Sequence, residues 1–485
     1  MNIVRPHITL FVLCCIALAC KLLMMVYPSE GIKIAGIKFR FSDDTSVADS
    51  ITERKIEDVE QFLAQLDTIA IAADTLTTDS TIQIVRKETI VSLQFKDGNS
   101  SCLFSFFEAL DKAKATGERM HIFHYGDSQI ESDRMSNVLR HNFQDKFGGH
   151  GPGLIAPVPI TASANIVQSQ SNNWKRYTAY GFDEGKAKHS DYGVMCAFGR
   201  FTPAKKREEI VATDSVEAWI EMRASGMSTA HCKVYNEAIL YFGNFQYAFQ
   251  LTLLENENVV SEEIIEPVAG VSNRKWTLPE SSGKLKFIFK GPDSPDVYGI
   301  ELHDTLGVNL SNIALRGNDG GAFKKVNSYS MTPVFTELNA KLFILQFGGN
   351  AVPWLTSDQT AKSYGNSFKA QIRQFKQMAP GAAIIVVGPS DMSTTIDGIY
   401  QTWPYLESLR DGMKQAALEE NCAFWDMFAV MGGKNSMVSW VTNVPPFAGP
   451  DYTHFTPAGA RKVAELLYKA INTEYDAWKS AQQSQ

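Results

Sequence analysis

The apolar and polar positions of the chain fall into distinct regimes. Residues 120–125 form a short, partly apolar run suited to a strand, and Gly126-Asp127-Ser128 breaks it. Beyond the break, Met135, Val138, Leu139 and Phe143 recur at helical spacing, which predicts a helix over 131–146. Upstream, a helix is expected over 103–114, ending near Gly117. From about 160 to 295 the pattern changes to short alternating segments (218–222, 233–241, 246–254, 284–290) separated by Gly, Asn, Ser and Pro clusters. Strands at that spacing predict an antiparallel β-sandwich. After Asp296, compact apolar runs at 341–347 and 382–387 suit buried parallel strands. Predicted helices over 363–378 and 407–420, and a short strand at 423–425, alternate with them. This implies a parallel sheet with helices on both faces. A last helix has Thr456 as N-cap and Pro457 at its first position, with Val463, Leu466, Leu467 and Ile471 as its buried stripe.

The N-terminus follows neither pattern. Residues 8–27 are nearly continuous apolar sequence, interrupted by Lys21 and preceded by Arg5, a length that suits a signal peptide or a single membrane anchor. Ala19-Cys20 suggests a lipoprotein cleavage site, but Ala17 is a poor residue at the usual leucine position and the run continues to Val26. The expectation is an uncleaved anchor in the inner membrane, with the bulk of the chain exported to the periplasm. Residues 28–100 are polar and weakly patterned; 51–66 suits an amphipathic helix, and 74–81 is rich in Thr and Asp. The expected organisation is a membrane segment at 1–28, a spacer at 29–100, an α/β part at 101–159, an inserted β-sandwich at 160–295, and the rest of the α/β part at 296–480.

Composition narrows the classes. With 485 residues, 44% hydrophobic and 20% charged, the chain is globular and long enough for two or three domains. A net charge of -7 gives no basic footprint for nucleic acid. Cys14, Cys15 and Cys20 lie in the apolar segment. Cys102, Cys196, Cys232 and Cys422 are scattered without CxxC spacing, so no metal motif is formed and no disulfide can be assigned. The glycine run 148–153 follows a helix and lacks the Lys-Ser/Thr of a P-loop, which makes it a turn. Trp174, Trp219, Tyr235, Tyr241, Tyr247 and Trp276 offer either a sugar-stacking platform or, for most of them, the packing of a sandwich core.

The candidate chemistry begins at Ser128. A strand, a tight turn and a helix put its hydroxyl at the carboxyl end of a strand, the edge where open α/β sheets bind ligands. Alone, Gly-Asp-Ser reads far more readily as an ordinary turn with Asp127 capping the helix. Asp451-Tyr452-Thr453-His454 stands before the last helix, where the carboxylate can meet one ring nitrogen and leave the other free to take a serine proton. Capping is the bland reading here too. Gly348-Gly349-Asn350 follows the strand at 341–347 and offers an amide donor to the same crevice. A backbone donor at Gly317, with Gly320-Gly321 as fallback, would complete what a tetrahedral oxyanion needs.

In this order the four blocks, Gly126-Asp127-Ser128, Gly317, Gly348-x-Asn350 and Asp451-x-x-His454, resemble the SGNH (GDSL-type) hydrolase family over about 103–155 and 296–475. The resemblance implies a three-layer α/β/α fold, interrupted here by the β-sandwich. It makes Ser128 the nucleophile, His454 the general base and then acid, and Asp451 its orienter. The Ser128 N–H, the Gly317 N–H and the Asn350 side chain become the oxyanion hole, with no metal and no cofactor. A sandwich between the serine and glycine blocks resembles peptidoglycan O-acetylesterases, whose extra domain resembles a carbohydrate-binding module. HYGDSQIESDR and FWDMFAVMGGKNSM also look like exported SGNH proteins associated with membrane-bound O-acyltransferases, a possible partner. The expected activity is esterase action on an O-acetylated extracytoplasmic glycan. The alternatives are O-acetyl transfer to a cell-envelope polysaccharide by the same residues, and a non-catalytic glycan-binding protein.

Overall fold

Five strands form one all-parallel sheet: β1 (Met120–Gly126), β2 (Val308–Ala314), β3 (Ala340–Gln346), β4 (Ala383–Val387) and β5 (Ala423–Trp425), in the spatial order β2-β1-β3-β4-β5. The computed structural model describes residues 32–34, 37–39, 92–181, 185–279 and 283–483. From β1 the chain continues to β2 on one side and later to β3 on the other. The strand order therefore reverses around β1, and a crevice opens there at the carboxyl edge.

Among the described residues the longer helices on the sheet are α1 (Phe104–Thr116), α2 (Ser136–Phe147), α3 (Asp358–Met378), α4 (Leu406–Glu419) and α5 (Pro457–Gln483). Successive strand residues point to opposite faces, and the two faces have different partners. Ile122, Ile344 and Ile385 pack with Phe106, Leu139 and Leu467 of α1, α2 and α5. Phe123, Phe343 and Val386 pack with Phe368, Phe375 and Leu409 of α3 and α4. The last two helices cross closely because both are glycine at the contact: a Cβ on Gly365 would meet the Gly412 carbonyl oxygen at 2.7 Å. The Thr456 hydroxyl accepts the Gly459 N–H at 3.2 Å at the start of α5, whose stripe Val463, Leu466, Leu467 and Ile471 is buried as expected.

Two antiparallel sheets interrupt this frame. One runs Asn258–Ile265, Phe249–Glu255, Leu285–Gly291, Val216–Ala224 and Ile166–Gln170 in spatial order. The other runs Val271–Thr277, Glu237–Gly243, Asp296–His303, Ala197–Arg200 and Lys175–Thr178, with Gly153–Ile155 also pairing to Asp296–His303. Leu251, Leu253, Phe287 and Ile220 of the first meet Leu240, Phe242, Ile300 and Leu302 of the second in one core. Four of the six aromatics considered for sugar stacking, Trp174, Tyr235, Tyr241 and Trp276, are buried in packing. Trp219 and Tyr247 are half-buried beneath Lys286 and Arg207, each 5.0 Å from the ring.

Three expectations change. The parallel pattern does not return at Asp296: that residue opens an antiparallel strand, Asp296–His303, and β2 begins only at Val308. Every residue of Asp296–His303 is buried, Ile300 and Leu302 against the facing sheet and Tyr298 against the α/β body. The strand therefore lacks the alternation that marks a half-exposed sheet. The helix predicted over 131–146 is regular only from Ser136, because Ser132 and Asp133 have φ of 55° and 66°. Asp133 turns inward to Arg140, at 2.7 and 3.0 Å, and accepts the Asn165 amide from the inserted segment. Nor do residues 233–236 belong to a strand; the strand there is Glu237–Gly243.

The N-terminal unit, residues 1–80, is separate from the unit 81–485. In it the described strands Ile32–Ile34 and Ile37–Phe39 pair antiparallel. The anchor expected at 8–27 and the helix expected at 51–66 lie outside the described residues. Among the described residues no helix is long and apolar enough to cross a membrane, and Cys102, Cys196, Cys232 and Cys422 are free thiols.

Candidate active site

The crevice beside β1 gathers the sequence-predicted residues from four stretches of chain. Ser128 opens a short 3-10 turn, Ser128–Asp133, directly after β1. Its hydroxyl lies 2.8 Å from His454 Nε2, and His454 Nδ1 lies 2.6 Å from Asp451 Oδ2. A carboxylate only accepts, so Nδ1–H donates to Asp451 and Nε2 is left to accept the serine proton. The other Asp451 oxygen accepts the N–H groups of Thr453 and His454, both at 3.1 Å. Burial disfavours the Asp451 charge, but the His454 ring outweighs it and holds the carboxyl below its ordinary value. Both side chains remain more than a third exposed, so the site is open to solvent.

Asn350 sits in the 3-10 turn Gly349–Trp354 that follows β3. One amide N–H of Asn350 reaches the Asn318 carbonyl at 3.2 Å, and the side chain also hydrogen-bonds the Asp127 carboxyl. Gly317 is at φ 70° in the loop after β2, a left-handed conformation that glycine adopts without strain. Gly320 N–H and Gly321 N–H already donate to the side chains of Asn318 and Asp319, at 2.7 and 2.8 Å. By contrast, the N–H groups of Ser128 and Gly317 make no hydrogen bond among the described residues. Of the three glycines considered, Gly317 is the one whose N–H is unbonded among the described residues.

Several residues that hold these loops together were not singled out from the sequence. The Gln129 side chain donates to Thr453 O at 2.7 Å and accepts from Phe455 N–H at 3.1 Å, bracketing His454. Arg134 donates to Ser128 O at 2.7 Å and to Phe455 O at 2.8 Å, tying the serine turn to the same loop. Glu131 pairs bidentately with Arg316 at 2.7 and 2.9 Å, which joins the serine turn to the Gly317 loop. Asp127 is buried and caps the turn through the Gln129 N–H at 2.9 Å. Burial, only partly offset by that N–H, pushes its carboxyl up to about 6.

Below the crevice a buried polar chain crosses three strands. His124 of β1 meets Gln346 Oε1 of β3 at 3.1 Å and Ser136 Oγ of α2 at 2.8 Å, and Ser136 reaches Asn312 of β2 at 2.9 Å. Burial lowers the His124 ring to about 4, so it is neutral near pH 7. Farther along, residues 152–163 border a cleft of about 390 Å³ whose other lining includes Glu131, Arg176, Phe198 and Ala314. Neither Ser128 nor His454 lines it. Among the described residues no cluster of His, Cys, Asp and Glu is arranged to hold a metal ion.

Residues 287–462 match the GDSL-like lipase/acylhydrolase family. The match contains Gly317, Asn350, Asp451 and His454 and begins after Ser128, which the fold supplies from the far side of the inserted strands. The match spans about a third of the chain, and together with the parallel-sheet fold it marks an enzyme similar to the GDSL-like hydrolases. A solved structure of a peptidoglycan O-acetylesterase is similar at 19% identity and a TM-score of 0.60, covering 79% of this chain and 99% of that one. A family two carbohydrate esterase from Clostridium thermocellum, solved with cellohexaose, has 10% identity and a TM-score of 0.25, covering 54% of this chain and 93% of that one. A salicylyl-acyltransferase from a tetracycline biosynthetic pathway has 11% identity and a TM-score of 0.25, covering 53% and 82%. No curated protein matches the chain.

Proposed function

We propose that the chain is a serine esterase that removes O-acetyl or similar short acyl groups from an extracytoplasmic glycan such as peptidoglycan. The observation that carries this is the Ser128–His454–Asp451 relay, with contacts of 2.8 and 2.6 Å, at the carboxyl edge of β1. The match to the acylhydrolase family and the likeness to a peptidoglycan O-acetylesterase support the ester and the glycan respectively. The apolar run at 8–27 supports an extracytoplasmic, membrane-anchored location.

In the proposed reaction Ser128 Oγ attacks the acyl carbonyl carbon while its proton passes to His454 Nε2. Asp451 holds the ring in the required tautomer and stabilises the imidazolium. The carbonyl oxygen becomes an oxyanion held by the Ser128 N–H, the Gly317 N–H and the Asn350 side-chain amide. Collapse breaks the bond to the sugar oxygen, which leaves as a hydroxyl carrying the proton from His454. Water, deprotonated by His454, then attacks the acyl-enzyme and releases the acid with Ser128 restored.

Acetate release from O-acetylated peptidoglycan, compared between wild type and Ser128→Ala, tests the reading. Loss of at least about 10³-fold in kcat is expected for the variant. Release that persists undiminished in the variant would remove Ser128 from the mechanism. Acyl groups appearing on an added sugar acceptor instead of as free acetate would make the enzyme a transferase.

A further inference from the structure

The large apolar side chains left in solvent near the crevice are concentrated on the loops that carry the site. Trp354 is 82% exposed and ends the same 3-10 turn that holds Asn350, about 8 Å farther along at 2.0 Å per residue. The neighbouring loop after β4 runs beside this turn: a Cβ added to Gly348 would meet Pro389 at 3.6 Å, and one added to Gly349 would meet Met392 at 3.5 Å. That loop continues into the hairpin Ser393–Ile396 and Ile399–Thr402, which exposes Ile399 and Tyr400. Tyr400 stacks on Tyr452, with ring centroids 3.7 Å apart and planes at 10°. Tyr452 lies between Asp451 and His454, and Ser393 N–H donates to its carbonyl at 3.0 Å.

The backbone singles out the same places. Tyr452 has φ 54° and Tyr405, also exposed, has φ 62°. A left-handed conformation at a bulky residue is strained and survives only where its surroundings impose it. At Tyr452 it sets the ring against Tyr400 beside His454. An isolated exposed aromatic needs no explanation, but flat rings on both loops of one crevice do.

We infer that Trp354 and the Tyr400–Tyr452 stack are walls for the sugar rings adjacent to the esterified one, so that the enzyme recognises a run of the glycan chain rather than a single acetylated sugar. A pyranose presents a face of C–H bonds that packs on an aromatic ring, and its hydroxyls stay in water at the rim. The inserted sheets, whose aromatics are mostly buried, are not needed for this recognition. The inference rests on the glycan-esterase reading and adds the subsite to it.

The test uses the full chain and soluble O-acetylated peptidoglycan strands, with 4-nitrophenyl acetate as a substrate that has no sugar. For Trp354→Ala and Tyr400→Ala, KM on the strands rises about tenfold, the worth of one lost aromatic contact, with the loss on KM rather than kcat. The ratio of kcat/KM on strands to that on the small ester falls accordingly, and Trp354→Phe restores most of it. A parallel titration of Ser128→Ala with the same strands reads binding without turnover, and adding Trp354→Ala weakens it about tenfold. Strands that bind and react equally well in wild type and variants overturn the inference, as does a wild-type chain that binds no strands. A chain that binds strands through Trp354 yet releases no acetate leaves the subsite standing and overturns the esterase reading instead.

Discussion

Asp127 is an acid held where a charge is unwelcome, one residue from Ser128, the proposed nucleophile. Its folded value of about 6 lies above the roughly 3.9 of an unfolded aspartate, so between those values the folded chain keeps a proton that the unfolded chain releases. Stability from this group is full below about pH 4 and is lost as pH rises through about 6, a change on the order of 3 kcal/mol. Asp127→Asn keeps an oxygen for the Gln129 N–H and cannot ionise. The urea-unfolding free energy of wild type relative to this variant should therefore fall between pH 4 and 7; a difference independent of pH would show that Asp127 is already charged in the folded chain at pH 4. At this scale the sequence named side chains that the fold brings together, because their chemistry and order are local. Ser128, His454 and Asp451 meet at the expected contacts, and Gly317 is the glycine of its loop with a free N–H. Gln129, Arg134 and the Glu131–Arg316 pair carried no signal, because their partners lie far away in sequence and an ordinary helix surface has the same composition.

Among elements, α3 and α4 cross closely at Gly365 and Gly412. Gly365→Ala sets a methyl against the Gly412 backbone, and neither helix can yield without moving off the sheet. The expected cost is about 1–3 kcal/mol, overriding the better helix propensity of alanine, and a melting temperature at or above wild type would refute the close approach. Helices with a single solvent face were legible from periodicity and buried strands from compact apolar runs: α1, α3, α4, α5, β3, β4 and β5 fall within a few residues of expectation. Periodicity failed where burial or tertiary bonds removed its contrast. Asp296–His303 is buried on both sides and resembles a parallel strand, and the helix after Ser128 is delayed by Asp133, whose partners Arg140 and Asn165 lie outside the turn.

The unit 81–485 shares its core between the two kinds of sheet. Phe123 and Tyr125 of β1 pack in the same cluster as Tyr180, Val194 and Tyr298, and the Tyr125 hydroxyl donates to Val194 O at 2.8 Å. Arg119, before β1, meets Glu237 at 3.2 Å, and His303 meets the same carboxylate at 2.7 Å. Such a shared interior should melt as one cooperative body. Calorimetry is expected to give a single transition for this unit, whereas two well-separated transitions would mean that the inserted strands fold independently. None of this coupling is written in local sequence, since it depends on which faces the insertion presents to the sheet.

The polar chain from Asn312 through Ser136 and His124 to Gln346 has a consequence for how the enzyme is made. A sheet strand that slips by one residue turns every side chain to the opposite face. For β1, such a slip would strand His124 among the phenylalanines and leave Ser136 and Gln346 facing hydrocarbon, all in the dry interior. Correctly aligned, the same groups satisfy one another. The seam therefore acts as a proofreader of assembly: a chain whose three crevice strands are out of register is penalised before the loops above can meet, and molecules that complete folding carry Ser128, Gly317 and Asn350 in a common frame.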